Sequence, residues 1–87
     1  MKKYNGFLNT YPCIDLHGET KDTMIAPLNS FIEDCLKLKI DRIAIIHGIG
    51  QGILKNQTKE YLKHHKAVET YYIDLNNPGC TIVHLKL

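Results

Sequence analysis

RIAIIHGIGQGILK, residues 42–55, passes from a β-branched apolar run, through alternating glycines, to a lysine. The run from Arg42 to Ile46 is short and strongly apolar, so it reads as a buried central strand. His47-Gly48 closes the strand, and the Ile49–Gly52 segment turns the chain. From Ile53 the apolar residues take up helical spacing. A strand passing through a glycine turn into a helix is the middle of an α/β fold, and the flanking sequence supplies the rest.

Upstream, CIDL (13–16) follows Pro12 and reads as a first strand. Thr20 is placed to cap a helix running from Lys21 to about Lys39. Met24, Leu28, Phe31, Ile32, Cys35 and Leu36 form its apolar stripe. Pro27 removes an amide donor, so it either kinks this helix or delays its start. Downstream, a second helix runs from Ile53 to about His65, with Leu54, Tyr61, Leu62 and His65 facing inward. VETYYIDL (68–75) is a third strand, NNPG (76–79) a turn, and CTIVHLKL (80–87) a fourth strand. The order β-α-β-α-β-β predicts a two-layer α/β sandwich with a mixed four-stranded sheet and two helices. Strands joined through helices run parallel by right-handed crossovers, and the last two form an antiparallel hairpin. Residues 1–11 read as an irregular N-terminal tail whose rings (Tyr4, Phe7, Tyr11) dock on a single domain spanning 12–87.

The 87 residues suffice for one domain. The 44% apolar and 23% charged shares are ordinary for a globular chain. No apolar run approaches the ~20 residues that span a bilayer, and the N-terminus lacks the apolar core of a signal peptide. Cys13, Cys35 and Cys80 form no C-x-x-C pair and sit among apolar residues, which predicts buried thiols and a reducing cytoplasm. Net charge is +2, and of the 11 basic residues only Arg42 is arginine. Their placement therefore says more than their sum.

Two motifs carry candidate chemistry. Asp15 and His17, in DLHG, lie two apart at a strand end, so both point to one side. A carboxylate beside a histidine orients it and stabilises its charged form. The plainer reading of such a pair is a local turn contact. The second motif is the loop Gly48, Gly50, Gly52 leading into a helix N-terminus, which presents amides and a positive dipole end to an anion. It matches neither a Walker A loop nor G-x-G-x-x-G, and a plain tight turn is its equal rival. Ligands gather at the carboxyl ends of parallel strands, so DLHG and HGIGQG are expected on one rim. There His17 and His47 would face one phosphodiester, one as base and the other as acid, or with one of them stabilising charge. Lys55, Lys59 and Lys63 follow at four-residue spacing on one helix face. Lys55 in the first turn opposes the helix dipole unless an anion binds there.

IDLHGET, IAIIHGIGQGILK and GCTIVHL, in this order and separated by helices, resemble the Smr (small MutS-related) domain over about Ile14 to Leu85. That resemblance implies an α/β sandwich related to the C-terminal domain of a bacterial translation initiation factor. It also implies endonuclease activity on DNA or RNA, in some members on stalled ribosomes. It ties Asp15 and His17 to cleavage, and His47, Gly48, Gly50 and Gly52 to substrate binding and catalysis. The family's arginine after the loop is Lys55 here, which keeps the charge without the bidentate fork. Pro27 is a second departure.

The expectation is thus a small cytoplasmic, monomeric endonuclease, with RNA favoured slightly over branched DNA. Asp15, His17 and His47 are its catalytic residues. Gly18, Gly48, Gly50, Gly52, Lys55 and Lys59 contact the nucleic acid. No metal-ligand set is evident, and no cofactor is assigned; Mg²⁺ or Mn²⁺ is the candidate if a metal is needed. The alternative is a non-catalytic module that binds nucleic acid or the ribosome.

Overall fold

The structure, a computed structural model, describes residues 11–87. Its central strand is β2 (Arg42–Ile46), which pairs in parallel with β1 (Cys13–Asp15) and antiparallel with β4 (Asn77–Leu85). The strand β3 (Val68–Asp74) lies outside β4, giving the sheet order β1-β2-β4-β3. Two helices, α1 (Ile25–Lys37) and α2 (Ile53–Lys63), fill the connections. This is the mixed four-stranded α/β sandwich read from the sequence. Strands β1, β2 and β3 run in one direction, but β3 joins the sheet only through β4, which is antiparallel to both its neighbours.

Both helices cover the same face. Leu28, Phe31, Ile32 and Cys35 of α1 and Leu62 of α2 share one apolar cluster with Ile14, Leu16, Ile43, Ile45, Val83 and Leu85. On the opposite face Cys13, Ala44, Cys80 and Ile82 form a second buried cluster, against which Tyr11 and Ile46 pack. Strand alternation makes this division. Ile14, Leu16, Ile43 and Ile45 face the helices, while Cys13, Asp15, Ala44 and Ile46 face away. All three cysteines are buried, and burial pushes the Cys35 and Cys80 thiols up to about 11. Tyr4 and Phe7, expected to dock with the tail, lie outside the described residues.

Three boundaries differ from the sequence reading. Helix α1 starts at Ile25, not Lys21, so Pro27 falls in the first turn, where its missing amide has no intrahelical partner to lose. Thr20 does not cap this helix. Its Oγ1 accepts from the Asp22 and Thr23 amides and closes a separate turn. The hairpin turn is Leu75-Asn76 rather than residues 76–79, because Asp74 pairs with Asn77. Pro78 is thereby inside β4, at a register shift where Ile73 pairs with Thr81, a place that tolerates a residue without an amide donor. Helix α2 ends at Lys63, and His65 instead accepts the Ala67 amide through Nδ1.

Ile32 has no exposed surface and stands where α1 meets the sheet. Ile32→Ala should lower unfolding free energy by about 2–5 kcal/mol, read by urea denaturation. Leu38→Ala, at a side chain 60% exposed, should change it by less than about 0.5 kcal/mol.

Candidate active site and nucleic-acid interface

The carboxyl ends of β1 and β2 meet at one rim, held by the Leu16 amide donating to the Ile46 carbonyl at 2.7 Å. On β1, Asp15 Oδ1 accepts the His17 backbone amide at 3.0 Å and is 2.9 Å from the His17 ring Nδ1. A carboxylate only accepts, so Nδ1–H is the donor, and in the neutral ring Nε2 carries the lone pair. The side chains are open to water, 78% exposed for His17 and 40% for Asp15. Gly18 follows in the turn with φ of 89°.

On β2 the other histidine has a different fate. His47 is 4% exposed. Its Nδ1 lies 3.0 Å from the Gly48 carbonyl, so Nδ1–H donates there. Nε2 must then accept, and its partner is the Thr81 hydroxyl at 2.8 Å. Burial, the largest influence, lowers the His47 pKa; the Gly48 carbonyl pulls it up and the charge of Lys55 pushes it down again. This is a neutral imidazole with both nitrogens engaged.

The two histidines therefore share a rim but not a side of the sheet. Asp15 pairs with Ile46 and points away from the helices. His47 is one residue past Ile46 and turns beneath the sheet toward Thr81, which pairs with helix-facing Ile45. The expectation that His17 and His47 act together on one phosphodiester as base and acid is corrected by the pleat: an odd step along the strand reverses the face.

The glycine loop hangs from β4. The amides of His47 and Gly48 both donate to the Gly79 carbonyl, at 2.9 and 3.0 Å. A Cβ on Gly79 would stand 3.2 Å from the Gly48 backbone, so any larger residue would push the loop away from β4 by a few tenths of an ångström. Gly52 then caps α2 from the left-handed region, with φ of 81° and no side-chain cap. A serine or asparagine cap would satisfy one of the first amides of α2; Gly52 has no side chain to do so. In front of them lies a hollow of about 590 Å³ between the Glu19–Asp22 turn and the His47–Lys55 loop. Ile49 and Ile53 project there, both largely exposed. Lys55 lines the hollow, whereas Lys59, one turn on, lines a separate cleft against β3.

The structure thus brings together Asp15 with His17, and Gly48, Gly50 and Gly52 with Lys55. Thr81 and Gly79 were not singled out from the sequence, although both lie in the GCTIVHL segment. Among the described residues no three His, Cys, Asp or Glu side chains are grouped to hold a metal ion, and no helix is long and apolar enough to cross a membrane.

The Smr domain family model matches residues 14–86. Endonuclease MutS2 of a Geobacillus species is 38% identical over 76 residues, covering 84% of this chain and 10% of the relative. That of Lacticaseibacillus casei is 37% identical over the same length and shares. The chain thus spans about a tenth of the length of these curated relatives. Among solved structures, the Smr domain of Thermus thermophilus MutS2 superposes with a TM-score of 0.83 at 26% identity, covering 86% of this chain and 98% of that one. YdaL, a stand-alone small MutS-related protein from Escherichia coli, has the same fold, with a TM-score of 0.84 at 20% identity over 98% of this chain and 81% of that one.

Because the folded pKa of His47 lies below its ordinary value of 6.5, the unfolded chain binds this proton more readily. Its contribution to stability is therefore complete above about pH 6.5 and is lost as pH falls toward the folded value. Urea midpoints measured from pH 7.5 to pH 5 should fall over that window, and the fall should be smaller in His47→Gln.

Proposed function

The chain belongs to the Smr domain family, and from that premise we propose that it is a small endonuclease acting on phosphodiester bonds, with RNA favoured over branched DNA. The observation that carries this reading is the Asp15–His17 contact of 2.9 Å, which holds an exposed imidazole by Nδ1 and leaves Nε2 open at the rim where β1 and β2 end. RNA brings its own nucleophile. His17 Nε2 takes the proton of the 2′-hydroxyl, and Asp15 holds the ring and stabilises the imidazolium that forms. The 2′ oxygen attacks phosphorus as the bond to the 5′ oxygen breaks, while the amides at the start of α2 and Lys55, on the helix side of the rim, hold an adjacent phosphate of the same strand. The 5′ oxygen leaves with a proton from solvent, since His47 has no free nitrogen to give one. His47 serves as a positioning residue: it ties the loop to β4 through Thr81.

Asp15 with one imidazole is a thin donor set for Mg²⁺ or Mn²⁺, and the histidine route needs neither. The same engagement of His47 favours a second reading, a module that binds nucleic acid or the ribosome without cutting it. Loop and lysines would then supply sequence-blind phosphate contacts.

Labelled single-stranded RNA and branched DNA, each with EDTA or with Mg²⁺ or Mn²⁺, separate these readings. Cleavage of RNA in EDTA to 2′,3′-cyclic phosphate, lost in His17→Ala and reduced in Asp15→Asn by roughly the 10²–10⁴-fold typical of acid–base catalysis, is the expected result. Nicking of DNA only with metal would retain the nuclease and reject the histidine route. Retarded complexes without products would establish the binding module.

A further inference from the structure

We infer that the cleft between α2 and β3 is a subsite for one unpaired nucleotide of the bound strand, next to the phosphate held at the start of α2. This rests on the nucleic-acid reading above and extends it to a surface remote from the Asp15–His17 pair. The cleft holds about 370 Å³, near the lower end of small-ligand sites at roughly 300 Å³. Lys55, Asn56 and Lys59 form one wall, the Tyr71–Ile73 stretch of β3, Tyr72 included, the other, and Thr81 lies between.

The two walls differ in chemistry. Lys55 and Lys59 stand one turn apart on α2, about 6 Å along its axis, the scale of one nucleotide step in an extended strand. Among the described residues, neither is in an ion pair, so their charge is uncompensated. On the facing wall Tyr71 and Ile73 are two apart on β3 and point to the helix side, as their partners Val83 and Thr81 do. Tyr71 is half-buried, so its ring is held in place. A cationic wall opposite a fixed aromatic one is what single-stranded nucleic acid requires: the charges track the backbone and the ring stacks a base. A base inside a duplex offers no free face to such a ring, which selects an unpaired nucleotide.

Continuity with the glycine loop gives the subsite its place along the bound strand. Lys55 lines both the loop hollow and the cleft. Thr81, in the cleft, holds the His47 ring that anchors the loop. A strand whose phosphate sits on the first amides of α2 therefore continues along Lys55 and Lys59, with its next base against Tyr71.

The test uses the full chain carrying His17→Ala, so that the probe stays intact. A fluorescein-labelled short oligouridine and a matching RNA duplex are titrated by anisotropy at several salt concentrations. Adding Lys59→Ala should weaken oligouridine binding and reduce the slope of log K against log salt by about 0.7. Adding Tyr71→Leu should weaken it by at least about five-fold, the lower end of a base–aromatic stack, with the slope unchanged. Duplex binding should not respond to Tyr71→Leu. Because Tyr71 also packs on the core, photo-crosslinking of 4-thiouridine RNA to the chain with Tyr71 intact provides a second measure, and the adduct should map to the peptide containing Tyr71. Undiminished oligouridine binding by folded Tyr71→Leu, equal losses for duplex, or adducts confined to other peptides would each overturn the subsite. Failure of the underlying reading looks different: the His17→Ala chain would then bind no oligonucleotide at any salt concentration.

Discussion

One carbonyl oxygen, that of Gly79, accepts two consecutive amides, from His47 and Gly48, and the geometry of the site follows from it. A strand that simply ended at Ile46 would leave these donors to water. Bonded to β4 instead, the chain leaves β2 in a fixed direction and reaches Gly52 with the polarity that starts α2. The contact crowds position 79, where a Cβ would stand 3.2 Å from the Gly48 backbone, whereas Gly48 is favoured by its φ of 81°. His47 reinforces it from below, by reaching Thr81 on the same strand. Loop, helix start and the lysines of α2 are thus referred to β4, the strand buried between β2 and β3. That explains why β4 is inserted at the centre of the sheet while the chain's last crossover leads to an edge.

The pleat of the two parallel strands imposes the second constraint. It sends Asp15 and His17 away from the helices and His47 toward them, so one rim offers an open dyad and a buried strut. The dyad is available to a polymer lying across the rim, and the strut is not. On the proposed reading, a nuclease of this plan would have one protein imidazole to exchange protons and would rely on backbone amides and lysines to hold the strand. The glycine cap on α2 fits this division: a side-chain cap would stabilise the helix by typically ~1 kcal/mol but would occupy a donor the substrate can use.

Periodicity was enough to read the sheet, both helices and the shared rim from the sequence, because hydrophobic alternation and helical spacing are local signals. Tyr71 and Tyr72 divide between core side and surface as alternation requires. What escaped were features set by tertiary contacts. Pro78-Gly79 has the composition of a turn, yet lies in β4 because Asn77 pairs with Asp74 and the register shifts around the proline. Thr81 and Thr58 are both buried, but nothing in their spacing separates them from solvent-facing threonines. His47 looked catalytic because a histidine before a glycine loop has the right composition. Its neutrality follows from burial and from a hydroxyl 34 residues away in sequence.

The openness of the dyad decides where selectivity must arise. In water-filled surroundings charge–charge interactions are weak, about 1 kcal/mol at contact distance, and an exposed histidine gains little from the protein's field. The loop amides become strong only when a bound strand excludes water from them. Much of that enclosure has to come from the substrate itself, or from a surface on which the substrate lies. A free, flexible strand covers the rim transiently, whereas a strand held across the rim by contacts on both sides covers it for longer. On the proposed endonuclease reading, residues distant from the dyad, along α2 and at the edge formed by β3, are where such a site would convert binding energy into rate.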